Sequence, residues 1–351
     1  MHLAAREAPS LPVATMLHSH LTTLHAVSLA LDILCQDGAL SPEALLAGSG
    51  IRLQDLQRTD LRIAIAQERR VFLNAVAQRC DLGLEMGRRM HVSSYGLLGY
   101  TLLSAATLGD ALELALGYPA LLGTLFELRL RDEGDVVWME AGGYCEVPEL
   151  EVFNVEFCLA SLKLICDDLL GQPLPLLGAC FQHASPAYNA LYADNFPCPV
   201  RFGDRRNAFG FARHWLERRL PLADAVTHRD MLERSRQLNR EFACRQALIS
   251  RARQVLADAL PRAPGLEELA RQLRCSPRSL RRHLQDAGTC YQALLDELRY
   301  EHARQLLEQE RLPIHRIAEA MGYSETASFR HAFQRWSGTT PSRFRHPAAA
   351  G

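Results

Sequence analysis

The feature that most restricts the fold of this chain is an internal repeat near its C-terminal end. The first copy has apolar residues at positions i, i+3, i+4 and i+7, which is the spacing of one face of a two-turn helix. The second copy repeats that face 48 residues later. The apolar residues are Leu266, Leu269, Ala270 and Leu273 in the first copy, and Ile314, Ile317, Ala318 and Met321 in the second. The chain must therefore contain the same helical unit twice.

A tight turn and a second helix are predicted after each copy. The turns are Arg274-Cys275 and Gly322-Tyr323. Each turn precedes a serine, Ser276 or Ser324, and serine is a favoured residue for capping the helix that follows. Pro277 is favourable at the first position of such a helix. Both copies are thus interpreted as helix, turn, helix.

The second helices bury one face and expose the other. Leu280 and Leu284 pair at i, i+4 in the first copy, and Phe329 and Phe333 pair in the second at an offset of 49, so one residue was inserted between the copies. At about 100° per residue, these pairs fix which side chains face outward. The outward residues are Arg278, Arg281, Arg282 and Gln285 in copy one, and Ala327, Arg330, His331 and Gln334 in copy two, with Thr326 near the helix start.

Such a helix fits the major groove of DNA, where arginine bonds guanine O6 and N7 with two hydrogen bonds. A single copy is equally well explained as a helical hairpin with a solvated charged face. Two copies in tandem favour DNA binding. The segment 291–307 between the copies predicts a helix about 25 Å long, at about 1.5 Å per residue. This helix could hold the second helices of the two copies one DNA turn, roughly 34 Å, apart.

Residues from about 248 to 346 resemble the DNA-binding domain of AraC/XylS-type transcription regulators. The motifs that carry the resemblance are LEELARQLRCSPRSLRRHLQDAG, the linker LRYEHARQLL and the signature PIHRIAEAMGYSETASFRHAFQRWSGTTPSRFR. The resemblance implies that the domain reads two successive major-groove segments of double-stranded promoter DNA. By position, it implies base contacts from Arg278, Arg281, Arg282, Thr326, Ala327, Arg330 and His331.

Three further arginines, Arg335, Arg343 and Arg345, are candidates for phosphate contacts, because most protein–DNA hydrogen bonds go to the sugar-phosphate backbone. Trp336 and Phe344 are expected to pack with Phe333 in the core rather than stack on bases. Residues 248–346 hold 16 arginines against 11 acidic residues, a balance of +5, which leaves −6 for the rest of a chain whose formal charge is −1. The two parts of the chain therefore favour different partners.

The N-terminal part is predicted to mix helices with a small antiparallel sheet. Segments 125–130 and 136–140 are strand-like, with the hairpin signal Asp132-Glu133-Gly134-Asp135 between them, and a helix is predicted over about 150–170. Residues 25–230 also resemble the arabinose-binding-type sensor domain of many of these regulators. The traces are YGLLGYTLLSAATLGDALELALGY, Tyr95 to Tyr118, and PCPVRFGDRRNAFGFARHWLERRLPLAD, Pro197 to Asp224. The family name does not identify the ligand.

The predicted architecture is an α+β N-terminal sensor domain followed by an all-α domain with two helix-turn-helix motifs. Its segments are a flexible N-terminal arm over 1–20, a ligand-sensing and dimerisation domain over 21–230, a linker over 231–247, the DNA-binding domain over 248–346 and a tail over 347–351. A length of 351 residues suits two domains.

A sensor needs a concave, largely apolar pocket with a few polar groups. The candidates for its wall are aromatic residues that are also ordinary core formers, namely Tyr95, Tyr100, Tyr118, Trp138 and Tyr144. His18, His20 and His25 lie close in sequence but lack the acidic or cysteine companions of a strong metal site, so no metal is expected. No cofactor is expected either.

The sequence predicts a sequence-specific transcription regulator, an effector-responsive activator of a metabolic or stress-related operon, and not an enzyme. An Ada-type DNA alkylation repair enzyme is the alternative, but it requires a four-cysteine cluster and a Pro-Cys-His-Arg motif that this sequence lacks. A DNA-strand-transfer enzyme would require clustered carboxylates, and the first domain shows no such pattern. Besides DNA and an unidentified small-molecule effector, RNA polymerase is an expected partner, and a homodimer is left open.

The remaining expectations concern the compartment. The ten cysteines are scattered without a C-x-x-C pair, and the N-terminus lacks a signal-peptide pattern, which favours a reducing cytoplasm. The longest uncharged stretch, 92–109, is diluted by polar residues and glycine, so a buried helix is expected there rather than a membrane span.

Overall fold

The structure, a computed structural model, describes residues 21–36, 40–57, 62–144, 147–286, 289–308 and 312–345. The predicted arm over 1–20, the tail over 347–351, and His18 and His20 lie outside these residues. The chain divides into two compact units, Met1–Ala243 and Cys244–Gly351. The first unit mixes helices with strands and the second is helical, which confirms the predicted fold class.

The first unit contains short helices, one long helix and two sheets. Its helices are α1 (His25–Gln36), α2 (Pro42–Leu46), α3 (Ile65–Val76), α4 (Leu82–Gly87), α5 (Gly96–Leu103), α6 (Leu108–Gly117), α7 (Pro119–Leu122), α8 (Glu151–Leu170) and α9 (Tyr192–Asn195). Its strands are β1 (Leu21–Thr23), β2 (Arg62–Ala64), β3 (Glu127–Glu133), β4 (Val136–Gly142), β5 (Leu176–Phe181), β6 (Val200–Phe202) and β7 (Asn207–Ala212).

Strands β3 to β7 form one sheet in the order β3-β4-β7-β5-β6, and β1 pairs with β2. Neighbours in the larger sheet are antiparallel except β5 and β6, which are parallel. The hairpin between β3 and β4 turns at Gly134, whose φ of 75° favours glycine. The predicted hairpin and the predicted long helix, α8, are both confirmed. Gly171 ends α8 in the left-handed conformation.

Helix α8 is the centre of the first unit, and α4 packs closely against it. A Cβ placed on Gly83 would come within 2.5 Å of the Phe153 carbonyl oxygen, and one on Gly87 within 2.4 Å of the Ala160 Cβ. Glycine at these two positions therefore sets the distance between the two helices. The other face of α8 packs on the sheet through buried residues such as Leu159 and Ile165.

The second unit begins within α10 (Ala225–Asp258). The predicted linker, 231–247, lies inside this one helix. The reason is local, since neither glycine nor proline occurs between Ala225 and Asp258 and the next helix breaker is Pro261. The remaining helices are α11 (Leu266–Gln272), α12 (Pro277–Asp286), α13 (Tyr291–Glu308), α14 (Ile314–Ala320), α15 (Thr326–Ser337) and α16 (Pro341–Arg345).

No helix in the described ranges combines the length and the apolar composition needed to cross a membrane. The stretch 92–109 instead forms a short 3₁₀ turn, helix α5 and the start of α6. Buried Leu98, Leu102 and Leu108 from this stretch join the core of the first unit.

Candidate nucleic-acid interface

The two helix-turn-helix units are built alike. Helices α11 and α14 begin 48 residues apart, at Leu266 and Ile314, and the second helices α12 and α15 begin 49 apart, at Pro277 and Thr326. The inserted residue therefore lies between the turn and the second helix of copy two. We call α12 and α15 the reading helices.

The turn of each unit has the same backbone geometry. In copy one, Arg274 has a φ of 56° and the N–H of Cys275 donates to the Ala270 carbonyl at 3.0 Å. In copy two, Gly322 has a φ of 80° and the N–H of Tyr323 donates to the Ala318 carbonyl at 2.9 Å. Both turns are left-handed helix ends of the Schellman type. An arginine in this conformation is strained where glycine is not.

The capping of the reading helices differs between the copies. The hydroxyl of Ser276 accepts a hydrogen bond from the N–H of Ser279 at 3.1 Å, as predicted for a helix cap. The prediction for Ser324 is wrong, because Glu325 occupies the N-cap position and makes no side-chain cap bond. The one-residue insertion explains this difference, since it moves Ser324 one position away from the helix start.

Each reading helix is fixed by its buried face. Leu280 and Leu284 are at most 1% exposed, and Phe329 and Phe333 are fully buried, which confirms both predicted pairs. In copy two, Phe333 contacts the rings of Tyr300 and Phe344 at centroid distances of 5.5 and 5.6 Å. Trp336 and Phe344 pack against this cluster, as expected for core residues. Helix α13 lies between the units in sequence and contributes buried Leu294, Leu298 and Leu307.

The opposite faces of the reading helices are exposed. The exposed residues are Arg278, Arg281, Arg282 and Gln285 on α12, and Ala327, Arg330, His331 and Gln334 on α15, while Thr326 is half-buried. Among the carboxylates whose side chains the structure describes, a set that leaves out Asp286, none pairs with any of the four arginines. Other arginines of the unit are paired, such as Arg271 with Glu268 and Arg316 with Glu319. The reading faces thus carry positive charge that none of these described carboxylates neutralises.

The phosphate candidates have three different surroundings. Arg335 pairs with Asp296 at 3.2 Å, and its side chain remains 65% exposed. Arg343 is exposed. Arg345 is half-buried, and its Nε and one Nη are buried without a hydrogen-bond partner among the described residues. Only Arg335 and Arg343 thus present an exposed side chain.

A cavity of about 290 Å³ lies in the first unit. Its wall comes from α3, the turn before α5, α5 itself, α7, the start of β3, α8 and α10. Of the aromatic candidates, Tyr95 and Tyr144 line it. The Tyr144 hydroxyl donates to the Val147 carbonyl at 2.9 Å and accepts from the Asn154 side chain at 3.0 Å.

The other three aromatic candidates do not line this cavity. Tyr100 is 58% exposed on α5, and Tyr118 packs half-buried against the core. Trp138 lies flat on the sheet between Gly210, its cross-strand partner, and Arg206, whose Cζ is 4.3 Å from the ring centroid. Glu133 and Glu140 hold the Arg206 guanidinium at 2.9 and 2.7 Å. Trp138 thus has a packing role on this side of the sheet.

Hydrogen bonds join helix α10 to helix α5 near the cavity. The hydroxyls of Thr101 and Ser235 are 2.8 Å apart, and Ser235 is fully buried. The Nδ1 of His228 lies 3.1 Å from the Thr101 carbonyl oxygen. Leu238 and Phe242, farther along α10, line the cavity.

Two family models match the chain. Residues 40–220 match the arabinose-binding domain of AraC transcription regulator, N-terminal, and residues 269–346 match a helix-turn-helix domain. The Ornithine utilization regulator of Pseudomonas aeruginosa is 32% identical over 317 residues, which cover 90% of this chain and 93% of that protein. The HTH-type transcriptional regulator VqsM of the same organism is 30% identical over 75% of this chain and 83% of that protein. The chain belongs to the AraC family of transcription regulators.

A solved structure is also similar to this AraC-family protein. The transcriptional regulator CdpR from Pseudomonas aeruginosa matches 92% of this chain and 98% of its own, with 25% identity and a TM-score of 0.47. AraC-type regulators bind promoter DNA and small-molecule effectors, and this family member is a DNA-binding transcription regulator. The Ada-type alternative finds no support among these relatives. Groups of three or more His, Cys, Asp or Glu that could hold a metal do not occur among the described residues.

Sequence reasoning missed the polar part of the cavity in this AraC-family protein. Asn154, Ser161 and Ser94 line it together with the neighbouring charges Glu68 and Arg69. They come from separate elements, α8, a 3₁₀ turn and α3, which only the fold brings together. Asn154 is one of four buried polar or charged residues on α8, with Glu156, Ser161 and Lys163, and such residues on a helix rich in apolar positions were the signal that could have pointed to it.

Proposed function

We propose that this AraC-family regulator is an effector-responsive activator that binds promoter DNA through both reading helices. In this proposal α12 and α15 enter two successive major-groove segments, and the first unit responds to a small molecule. Arg278, Arg281 and Arg282 contact bases from α12. Thr326, Ala327, Arg330 and His331 do so from α15, with Arg335, Arg343 and Arg345 at phosphates.

The observation that carries the proposal is that the two reading helices bury and expose the same kinds of residue. Each reading helix buries an i, i+4 apolar pair and exposes arginine that pairs with none of the carboxylates whose side chains the structure describes. Arginine that keeps its charge available suits guanine edges and phosphates. The same side chains held in ion pairs would have to break those pairs before contacting DNA.

The names of two relatives support activation rather than repression, and a metabolic operon as the target. The HTH-type transcriptional activator RhaR of Escherichia coli is 26% identical over 61% of this chain and 76% of that protein. Activation implies a contact with RNA polymerase as a second partner. A relative named for ornithine utilization supports a metabolic operon as the target. The proposal further places the protein in the cytoplasm, where the first unit also forms a homodimer, and it assigns no catalytic step.

The first part of the test is to identify the sites. Chromosomal fragments bound by the full chain would be mapped, and the purified full chain would be titrated against the most enriched fragment at about 0.15 M salt, since protein–DNA affinities depend on salt. Specific binding is expected to be about 10³-fold or more tighter than binding to a scrambled duplex.

The second part of the test assigns the reading helix. Arg282→Ala is expected to weaken specific binding by about 1–3 kcal/mol and to relax the preference at one base pair. Arg304→Ala on α13 is the matched control, because Arg304 is also exposed but pairs with Glu308 at 3.6 Å. Equal losses for the two variants would contradict the proposal. An equal loss by Arg282→Ala on every sequence would reassign Arg282 to a phosphate contact.

A further inference from the structure

The size of the cavity in the first unit limits what it can hold. An apolar protein cavity of about 150 Å³ accommodates benzene. The cavity here measures about 290 Å³, so it suits a molecule of roughly twice that size, about a dozen non-hydrogen atoms. Such a molecule has the size of a small metabolite.

Most of the cavity wall is apolar. Phe72, Leu98, Phe126 and Leu162 line it and are each at most 5% exposed. These side chains offer dispersion contacts and no hydrogen bonds, so the part of a ligand that lies against them must also be apolar.

The wall presents no net charge. Glu68 and Arg69 are the charged residues among the described lining, one of each sign, and neither is without a partner. Burial raises the pKa of the Tyr95 hydroxyl above its usual value and that of the Cys158 thiol to about 12, so both are neutral at cellular pH. A charged ligand group would therefore lose its hydration and would have to share Glu68 or Arg69 with the partner that each already has.

The Asn154 side chain offers a ligand a hydrogen-bond acceptor on the wall. The Asn154 amide nitrogen donates to the Tyr144 hydroxyl, which itself donates to the Val147 carbonyl, and this chain of bonds fixes the orientation of the amide. Its Oδ1 accepts no hydrogen bond that involves a described residue, and Asn154 lines the cavity. Ser94 adds a hydroxyl on the same wall. A ligand with one hydroxyl or amide donor would satisfy this acceptor.

We infer that this cavity is the effector site and that its effector is a neutral, mostly apolar molecule of about a dozen non-hydrogen atoms with one hydroxyl or amide donor. The inference rests on the proposed effector-responsive function and names its ligand class. A pentose would bury about four hydroxyls against a mostly apolar wall, and a free amino acid would bury charges next to Glu68 and Arg69, which already have partners. The class thus differs from both arabinose and ornithine.

The position of α10 gives the site a route to regulation. Leu238 and Phe242 line the cavity, and the same helix continues without a break to Asp258. A bound molecule therefore contacts the helix that carries the chain into the DNA-binding unit. Ligand affinity and DNA affinity are then linked, and each changes the other by the same factor.

The test compares probes of one length that differ in their polar end. Octanamide, octan-1-ol, octanoate and octylamine would be titrated into the full chain by calorimetry, together with L-arabinose and L-ornithine. The two neutral probes are expected to bind at least about tenfold more tightly than the two charged ones. Arabinose and ornithine are expected not to bind.

Two pairs of variants test the location. Ala120→Phe adds a ring to the cavity wall and is expected to abolish octanamide binding, while the control Ala190→Phe, outside the cavity, leaves it unchanged. Asn154→Leu removes the acceptor and is expected to weaken octanamide binding about tenfold. The control Asn189→Leu lies on the surface and has no effect on binding.

Three results would overturn the inference. The first is that ornithine, arabinose or a charged probe binds more tightly than the neutral probes. The second is that neither octanamide nor octan-1-ol binds. The third is that octanamide still binds to the Ala120→Phe variant. Promoter binding is measured on the same protein. A chain that binds its promoter but rejects the neutral probes retains the proposed DNA-binding function and loses the ligand class, whereas a chain that binds octanamide but no duplex loses the proposed function itself.

Discussion

At the scale of single residues, Glu156 is the most unusual group in the first unit. It is fully buried on α8, where the hydroxyls of Tyr188 and Tyr192 donate to its Oε1 at 2.9 and 2.5 Å. Its Oε2 is buried and has no partner among the described residues. Burial raises the pKa of Glu156 to about 7, against the opposing effect of the two tyrosine hydroxyls. The cost of an ionised carboxylate here exceeds the gain from those two bonds.

This pKa predicts a pH-dependent stability. Because the folded-state pKa lies above the unfolded value of 4.5, the stabilising contribution is complete below that value and is lost as the pH rises through about 7. Glu156→Gln keeps an uncharged group of the same shape. It is expected to stabilise the first unit by roughly 1–3 kcal/mol at pH 8 and by much less at pH 5, as measured by urea unfolding.

The control for this prediction is Glu113→Gln, which removes an exposed carboxylate from α6. It should change stability little at either pH. If Glu156→Gln altered stability equally at pH 5 and pH 8, the carboxyl would not titrate with folding and the account of Glu156 would be wrong.

At the scale of elements, the two helix caps give a direct comparison. The capping bond from Ser276 satisfies one of the free N–H groups at the start of α12, while Ser324 makes no such bond to α15. Ser276→Ala is expected to lower the free energy of local unfolding of α12 by about 1 kcal/mol. Because amides exchange from the locally unfolded state, hydrogen exchange of α12 should become about fivefold faster in the full chain.

Ser324→Ala serves as the matched control and should leave the exchange of α15 within about twofold, as for a neutral surface substitution. Equal effects on the two helices would mean that Ser324 caps α15 in solution. Such a result would contradict the position of the inserted residue.

The elements that the sequence predicts well are those whose signals are local. Both helix-turn-helix units, the hairpin at Gly134 and the helix ended by Gly171 depend on apolar spacing and on turn residues within a few positions. The continuity of α10 also has a local signal, because the segment 225–258 contains neither glycine nor proline, and the linker predicted over 231–247 is part of that helix.

The cavity could not be predicted in the same way. The presence of a tyrosine or tryptophan indicates burial but does not distinguish the wall of a cavity from the packed face of a sheet. For this reason the sequence predicts Trp138 as a residue of the cavity wall, whereas its ring covers Gly210 on the sheet. The polar atom that matters, Asn154 Oδ1, is defined by a hydrogen bond to Tyr144, ten residues away and outside the helix. Such pairings depend on tertiary structure.

At the scale of the whole molecule, the DNA-binding part of the chain and the rest differ in net charge. The +5 balance of residues 248–346 suits DNA, and the −6 balance of the rest opposes nonspecific binding of the first unit to DNA. The assignment of a sensor to 21–230 and of the DNA-binding domain to 248–346 remains a prediction. A fragment of residues 244–351 is expected to bind the promoter within about tenfold of the full chain and to lose the octanamide response.

The central claim is that both reading helices occupy the major groove of one duplex. Guanine N7 methylation interference on the bound promoter measures this directly. The account predicts two groups of interfering guanines about 10 base pairs apart on one face of the duplex, and Arg282→Ala weakens the interference in only one of them. A single group of guanines, or the loss of both groups in Arg282→Ala, would contradict it.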